Sequence, residues 1–463
     1  MPSGPDGFVT NPAYGREFTK ARELLLAHPG RWRVIYHYDG DGIASASSLL
    51  RMFERLGYPP YATPLQGVER ERMRTLLDGT HGPVLVVDTG ASWLDLYPAH
   101  HHPVIVLDHH QYVGSPTPPN LPDHVAFVNP VDWGVDGMRE MCAATLSWLF
   151  SVFVDPVNWD NAPWGLSGAI ADRQHVGGFS GLNSTLVDEA VRRSLVTRHT
   201  GLALFGPTIG EAVTRSIDPY VKGLSGRPDA VRTFLERLGI DPKHATGSLD
   251  AAGERTVHQA LLAKLVQQGV RAEFCETLKR ERYQLPSLGV DAEELSNWQN
   301  ALGRASTPGV GVTLALGDRS AWDAGRIAEE TWRSTILAGM RRVEDGGVNS
   351  LSALQWFESA ETTYAGTQAG LAMNYLVDAN RPLLVFSQGE GVYKVSGRGT
   401  TWLVSQGLDL ALALRAAASA AGGEGGGHKV ASGATIPMGG RETFLGEANR
   451  IVGEQLHRTE APA

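Results

Sequence analysis

The sequence predicts an α/β protein: a parallel-sheet domain, a helical segment, then a second, smaller α/β domain. Three observations carry this. Apolar runs rich in Val and Ile (RVIYH, PVLVVDTG, PVIVLDHH) recur between helical stretches over about residues 15–200, and none alternates, as expected of strands buried on both faces. Each run ends abruptly in polar residues. Beyond about residue 305, VGVTLALG, RPLLVFSQ and GVYKVSGRGT repeat the strand pattern with helices between.

In chain order, RVIYH is followed by Ile43, Ala46, Leu50 and Phe53 at helical spacing, so a helix starts against His37–Asp41 with its dipole favouring a phosphate. GAIADRQ closes a helical stretch of small residues at Asp172. Residues 201–300 read as mostly helical, broken by the polar turns SGRPDA and HATGSLDAAGE, and the basic run Lys279–Tyr283 reads as a solvated helix face. LDLALALRAAASAA is an Ala-rich helix. The GGEGGGHK run after it is either a flexible connection or a place where backbone N–H groups approach a phosphate closely. These readings set boundaries of 1–200, 201–300, 301–455 and a tail over 456–463 whose last residues, HRTEAPA, are frayed.

Composition is that of a globular protein of two or three domains: 463 residues, 42% hydrophobic and 20% charged. Cys142 and Cys275 make neither a disulfide framework nor a zinc cluster, which suits a reducing, cytoplasmic compartment. MPSGPDGFVTN lacks the regions of a signal peptide, and no run approaches the roughly 18 apolar residues of a membrane helix, so no membrane association is expected. A formal net charge of −9 disfavours broad coating of nucleic acid but leaves room for a local phosphate-binding cleft.

The polar groups His37/Asp39/Asp41, Asp88 and Asp108/His109/His110 all fall at the carboxyl ends of the first three strands, the edge where open parallel sheets bind ligands. Asp172 can reach the same place. Clustered acids repel one another unless something positive sits among them. Hard oxygens mixed with imidazole suit manganese or magnesium, and six such donors suit two ions. Two ions roughly 3.5–4 Å apart can clamp a phosphoryl group. The triple His100–His102 precedes its strand, so it is read as a surface turn at the opposite edge.

HYDGDGIAS, VVDTG, VLDHHQ and IADRQ, in this order and spacing, resemble the four motifs of the DHH phosphoesterase superfamily, and DHH itself is Asp108-His109-His110. GGGHKVASGATIP and KVSGRGT resemble the DHH-associated C-terminal domain; with NALGRAS and AGLAMNYL the whole looks most like the archaeal RecJ-like exonucleases. The resemblance implies a DHH catalytic domain over 1–200, a linker or insertion over 201–300, a substrate-binding domain over 301–455, and an active site in the cleft between domains. It implies that His37 and Asp39 hold one manganese, that Asp41, His109 and Asp172 hold the other, and that Asp88 bridges them, with magnesium possible. Asp108 would orient the histidines and His110 would face the scissile phosphate. Arg398, Gly426, Gly427 and His428 would grip the substrate, with Asn129 near the pocket and Arg173 assisting. The implied activity is metal-assisted hydrolysis of single-stranded DNA or RNA from an end, with no covalent enzyme intermediate. Two other readings stay open: an oligoribonuclease or cyclic-dinucleotide phosphodiesterase of the same superfamily, and a replisome scaffold that binds the GINS complex.

Overall fold

The structure is a computed structural model that describes residues 15–67, 70–112 and 120–457. MPSGPDGFVTN and all but the first residue of HRTEAPA lie outside the described residues. The described chain divides into two compact units, one running to Gly201 and resuming over Arg280–Thr331, the other made of Leu202–Lys279 and the chain from Trp332 onward.

The first unit is built on strands β1 (Arg33–His37), β2 (Tyr61–Leu65), β3 (Val84–Val87), β4 (Val104–Leu107) and β5 (Val125–Val128), all parallel in the order β2-β1-β3-β4-β5. Alternate residues enter opposite cores. Val34, Tyr36, Leu85, Val87, Ile105 and Leu107 pack on one face, and Ile35, Val84, Val86, Val104 and Val106 on the other. That two-sided burial is why the runs do not alternate in hydropathy.

Helices α1 (Gly15–Ala27), α2 (Gly40–Arg55), α3 (Arg70–Asp78), α4 (Ala143–Val154), α5 (Ala162–Ala171) and α6 (Gly181–Arg192) accompany this sheet. Close approach of α5 to α2 and α4 depends on Gly168, where a Cβ would stand 2.2 Å from Ala144 Cβ and 2.9 Å from Ala44 Cβ. The small residues of that helix therefore bring Asp172, at its end, towards Asp41. A short sheet of β6 (Thr197–Leu202), β7 (Lys279–Leu285) and β8 (Val290–Asp291) stands where the chain leaves and re-enters the unit, followed by α7 (Ala292–Arg304) and α8 (Pro308–Thr313).

Three expectations change here. The basic run Lys279–Tyr283 is strand β7 and not a helix face; Arg280 pairs with Glu293 at 2.5 Å and Arg282 with Asp291 at 3.0 Å, while Tyr283 and Leu285 turn inward. Its charges serve an alternating strand. VGVTLALG is helical, not a strand: Pro308 starts α8, Val312, Leu314 and Ala315 are buried, and Gly317, at φ +84°, ends the turn after it. Residues 201–300 are shared between the units, because Ile209, Val231, Leu235 and Leu261 pack in the second core and Tyr283, Leu285, Leu295 and Trp298 in the first.

The second unit carries a mixed sheet of β9 (Asn349–Ser350), β10 (Gln355–Ser359), β11 (Leu383–Gln388), β12 (Val392–Arg398), β13 (Glu424–Gly427) and β14 (Ala431–Pro437), ordered β13-β14-β12-β11-β10-β9. Only β10 and β11 run parallel. The Ala-rich segment forms a helix over Leu410–Ala420. Its glycine run is itself a strand, β13, where a Cβ on Gly425 would stand 2.7 Å from the Leu414 carbonyl oxygen. Among the described residues, no helix is long and apolar enough to cross a membrane.

Candidate metal centre

Each donor is delivered by a strand end or a helix end of the first unit. His37 ends β1. Asp39 caps α2, its Oδ1 accepting from the Gly42 N–H at 3.1 Å and its Oδ2 turned to His37 Nδ1 at 3.0 Å. Asp41, in the first turn of α2, is buried and accepts from the Ala143 and Ala144 N–H groups at 3.0 and 2.9 Å, so the start of α4 holds it. The N-terminus of α2 is less open to a phosphate than its sequence implies: the Gly42 N–H is taken by Asp39, and the Gly40 N–H donates to Asn300 Oδ1 at 3.1 Å.

Asp88 follows β3 with φ +58°, a left-handed conformation uncommon outside glycine, and it is buried. Its Oδ1 lies 3.3 Å from His109 Nε2 and its Oδ2 3.6 Å from His37 Nδ1, between the two histidines. His109 donates from Nδ1 to the Gly137 carbonyl at 2.7 Å, which leaves Nε2 as its free lone pair, 3.6 Å from Asp41 Oδ2. Asp172 closes α5, and its Oδ2 accepts from Gln174 Nε2 at 2.7 Å. The donor atoms of His37, Asp39 and Asp88 lie within 4.8 Å of one another, as do those of Asp41, His109 and Asp172.

Electrostatics fit a cation among these groups. Burial, reinforced by the Asp88 charge, pushes Asp41 up to about 7, and burial with the Asp41 charge does the same to Asp172. Asp88 is raised by burial and by Asp39. Burial would lower His37, yet the neighbouring carboxylates of Asp39 and Asp88 lift it to about 11; His109 is likewise held above its ordinary value against burial, mainly by Asp88. Asp39 falls to about 2 against the pull of burial, through His37. Asp88 Oδ2 is buried without a hydrogen-bond partner. An imidazole whose second nitrogen is fixed by a carbonyl, beside carboxylates that resist ionising together, is a donor set for a hard divalent ion.

Asp108 stands apart from this set. Its carboxylate accepts from the N–H groups of Ala91, His109 and His110 and from His110 Nδ1 at 2.7 Å, and against the upward pull of burial these bonds hold its pKa below the ordinary carboxylate value. His110 is half exposed, and the Asp108 hydrogen bond raises it, favouring the protonated imidazole. Asn129 is buried behind it: Nδ2 donates to the His110 carbonyl at 2.9 Å and Oδ1 accepts from the Val131 N–H, so both ends of the amide are engaged in shaping the strand end. Arg173 is exposed, at φ +60°. The triple histidine lies before β4, at the other sheet edge; His101 and His102 are exposed, while His100 is buried with Nε2 on the Gly82 carbonyl.

Arg398, Gly426, Gly427 and His428 belong to the second unit and meet at one end of its sheet. Arg398 pairs with Ala431, whose carbonyl accepts from the His428 N–H at 2.8 Å. The guanidinium donates to the carbonyls of Gly397 and Gly366 and is largely buried, which lowers its pKa. Gln174, Asn183, Gly137 and Asn300 were not singled out by sequence reasoning, although all four touch the metal centre or the shell around it. Gln174 and Asn300 lie inside the quoted segments GAIADRQ and NALGRAS, but nothing local to them reveals what they bond.

The profile of the DHH family, N-terminal domain, matches residues 31–169, and that of the DHHA1 domain matches residues 358–454. The chain belongs to the DHH phosphoesterase superfamily. An uncharacterized protein of Methanocaldococcus jannaschii is 29% identical to this DHH protein over 451 residues, covering 95% of this chain and 98% of that one. A crystal structure of the exonuclease RecJ bound to manganese is similar at 19% identity and a TM-score of 0.58, covering 96% of this chain and 96% of that one. CDC45 from Entamoeba histolytica is similar at 10% identity and a TM-score of 0.64, covering 95% and 99% of the two chains. The DHH chain thus has a RecJ-like fold.

Proposed function

We propose that this protein is a metal-dependent phosphodiesterase that hydrolyses single-stranded DNA or RNA from an end. The observation that carries the reading is the placement of Asp88, one oxygen towards His37 and the other towards His109, where it belongs to two groups of three donors, with His37 and Asp39 and with His109 and His110. His37 and Asp39 would hold one divalent cation, Asp41, His109 and Asp172 a second, and Asp88 both, with manganese preferred and magnesium accepted. Bound there, such ions supply an activated water and neutralise phosphate charge. His110, whose protonated form Asp108 favours, would donate to a phosphate oxygen or to the leaving oxygen. Arg398 would offer a planar fork to phosphate, with Gly426, Gly427 and His428 at the same end of its sheet. Likeness to CDC45 favours one further reading, a replisome scaffold with GINS as partner; the complete donor set favours catalysis.

The test uses purified protein with manganese, single-stranded DNA and RNA of equal length labelled separately at each end, and an Asp88→Ala control. A ladder that vanishes in the control is the expected result and also reports sugar preference and polarity. Cleavage confined to di- to tetranucleotides or cyclic dinucleotides would replace it with the small-substrate reading. Bound metal without any cleavage would leave the scaffold.

A further inference from the structure

A buried polar chain beneath the metal centre fixes three donors at once. Gln174 uses both protons of its amide: Nε2 donates to Asp172 Oδ2 at 2.7 Å and to the Gly137 carbonyl at 2.7 Å. That carbonyl also receives His109 Nδ1. Gln174 Oε1 accepts from Asn183 Nδ2 at 2.6 Å, and Asn183 Oδ1 accepts from the Thr145 hydroxyl at 2.8 Å. Thr145 Oγ1 in turn accepts from the Cys142 N–H at 3.1 Å, one residue before the Ala143 and Ala144 N–H groups that hold Asp41. Gln174, Asn183 and Thr145 are 5%, 0% and 0% exposed, so water does not substitute for these bonds.

The chain has a direction. Gln174 must present NH₂ to Asp172 and Gly137, so its oxygen faces Asn183, Asn183 presents NH₂ to that oxygen, and Thr145 is left to give its one proton to Asn183 Oδ1 at 2.8 Å over the Cys142 carbonyl at 3.1 Å. A flipped Gln174 would set an oxygen against a carboxylate and a carbonyl. We infer that Gln174, oriented by Asn183 and Thr145, is a positioning residue that sets the Asp41–His109–Asp172 group, so that its loss weakens one ion site and spares the other. This rests on the reading of those three residues as ligands of one ion. The neighbouring group is held differently, by the Gly42 N–H on Asp39 and by contacts between His37 and Asp88.

The experiment counts manganese by electron paramagnetic resonance on the full chain, as wild type, Gln174→Met and Asn183→Ala, with melting temperatures in chelator alongside. Gln174→Met keeps length and burial but donates nothing; Asn183→Ala leaves the Gln174 amide in place without its orienting partner, and carries the test if Gln174→Met does not fold. Two ions are expected on the wild type. In either variant one should bind about tenfold to a hundredfold more weakly while the other keeps its affinity. Cleavage should then recover as manganese is raised, which a merely structural defect would not allow. Two ions bound as in the wild type, or both weakened alike, would overturn the inference. A wild type that binds two ions and cuts nothing overturns the nuclease reading alone, and the affinities still decide the role of Gln174. A wild type that binds none overturns both.

Discussion

His109 and Gly137 restrain each other from both sides: His109 Nδ1 donates to the Gly137 carbonyl at 2.7 Å, and a Cβ on Gly137 would stand 2.1 Å from the His109 carbonyl oxygen. The histidine needs the carbonyl to fix which nitrogen faces Asp41 and Asp88. The carbonyl can come that near only because residue 137 has no side chain.

Gly137→Ala should therefore act on the metal centre although it removes no polar group. A methyl against main chain cannot be absorbed by a rotamer change, so the loop must shift and take its carbonyl from His109. We expect manganese affinity to fall about tenfold or more, with a stability loss of about 1–3 kcal/mol. Isothermal titration and urea denaturation measure the two. Unchanged affinity would show that the loop accommodates the methyl.

Manganese binding should release protons. Asp41 and Asp172, both raised to about 7, hold protons in the metal-free protein near and below that pH, and His37, raised to about 11, holds one at neutral pH. Each must lose its proton to ligate, so affinity should climb through about pH 7 and go on climbing towards about pH 11, where His37 gives up its own. Titration in two buffers of different ionisation enthalpy gives the number released. More than one proton per protein is expected; none would mean that these groups are already deprotonated.

Those donors were legible in the sequence because buried parallel strands announce themselves as unalternating apolar runs and place the residues after them at one edge. RVIYH, VLVV and VIVL end at His37, Asp88 and Asp108 in the structure as the pattern requires. The shell that orients the donors lay beyond reading. Gln174, Asn183 and Asn300 are neutral amides with no periodicity, and their partners are set by how helices pack. Asn300 and Gly40 are 260 positions apart. The same gap explains VGVTLALG, a run too short for periodicity to separate a strand from a buried helical turn.

Asn300 is predicted to support the metal centre from α7. Its Oδ1 accepts the first N–H of α2, and Gly303, one turn later, lies against the Tyr38 carbonyl, where a Cβ would stand 2.2 Å away. The residues from Tyr38 to Gly40 are thus held from α7 while Asp39 and Asp41 project beside them. Asn300→Ala should cost about 1 kcal/mol, the usual scale for a lost helix-end bond, and loosen manganese without removing a ligand. Asn300→Asp keeps an acceptor for the Gly40 N–H and should lose less stability. Equal losses in the two variants would assign the effect to packing.

Asp88→Asn should separate stability from function. The carboxylate is buried, and burial together with the Asp39 charge raises it above the ordinary value. A group whose folded pKa lies above its unfolded one destabilises the fold once pH exceeds the unfolded value, about 4 for aspartate, and increasingly so towards neutrality. Asparagine keeps the shape and tolerates the left-handed backbone at this position. In chelator at pH 7–8 the variant should therefore melt higher than the wild type, by an amount on the order of 1 kcal/mol, and the difference should vanish below about pH 4. Manganese should reverse the ranking, because ligand that binds only the folded state raises the wild-type melting temperature and leaves the variant where it was. A variant that melts lower than the wild type in chelator would mean that the attraction of His37 and His109 for the Asp88 carboxylate outweighs its burial.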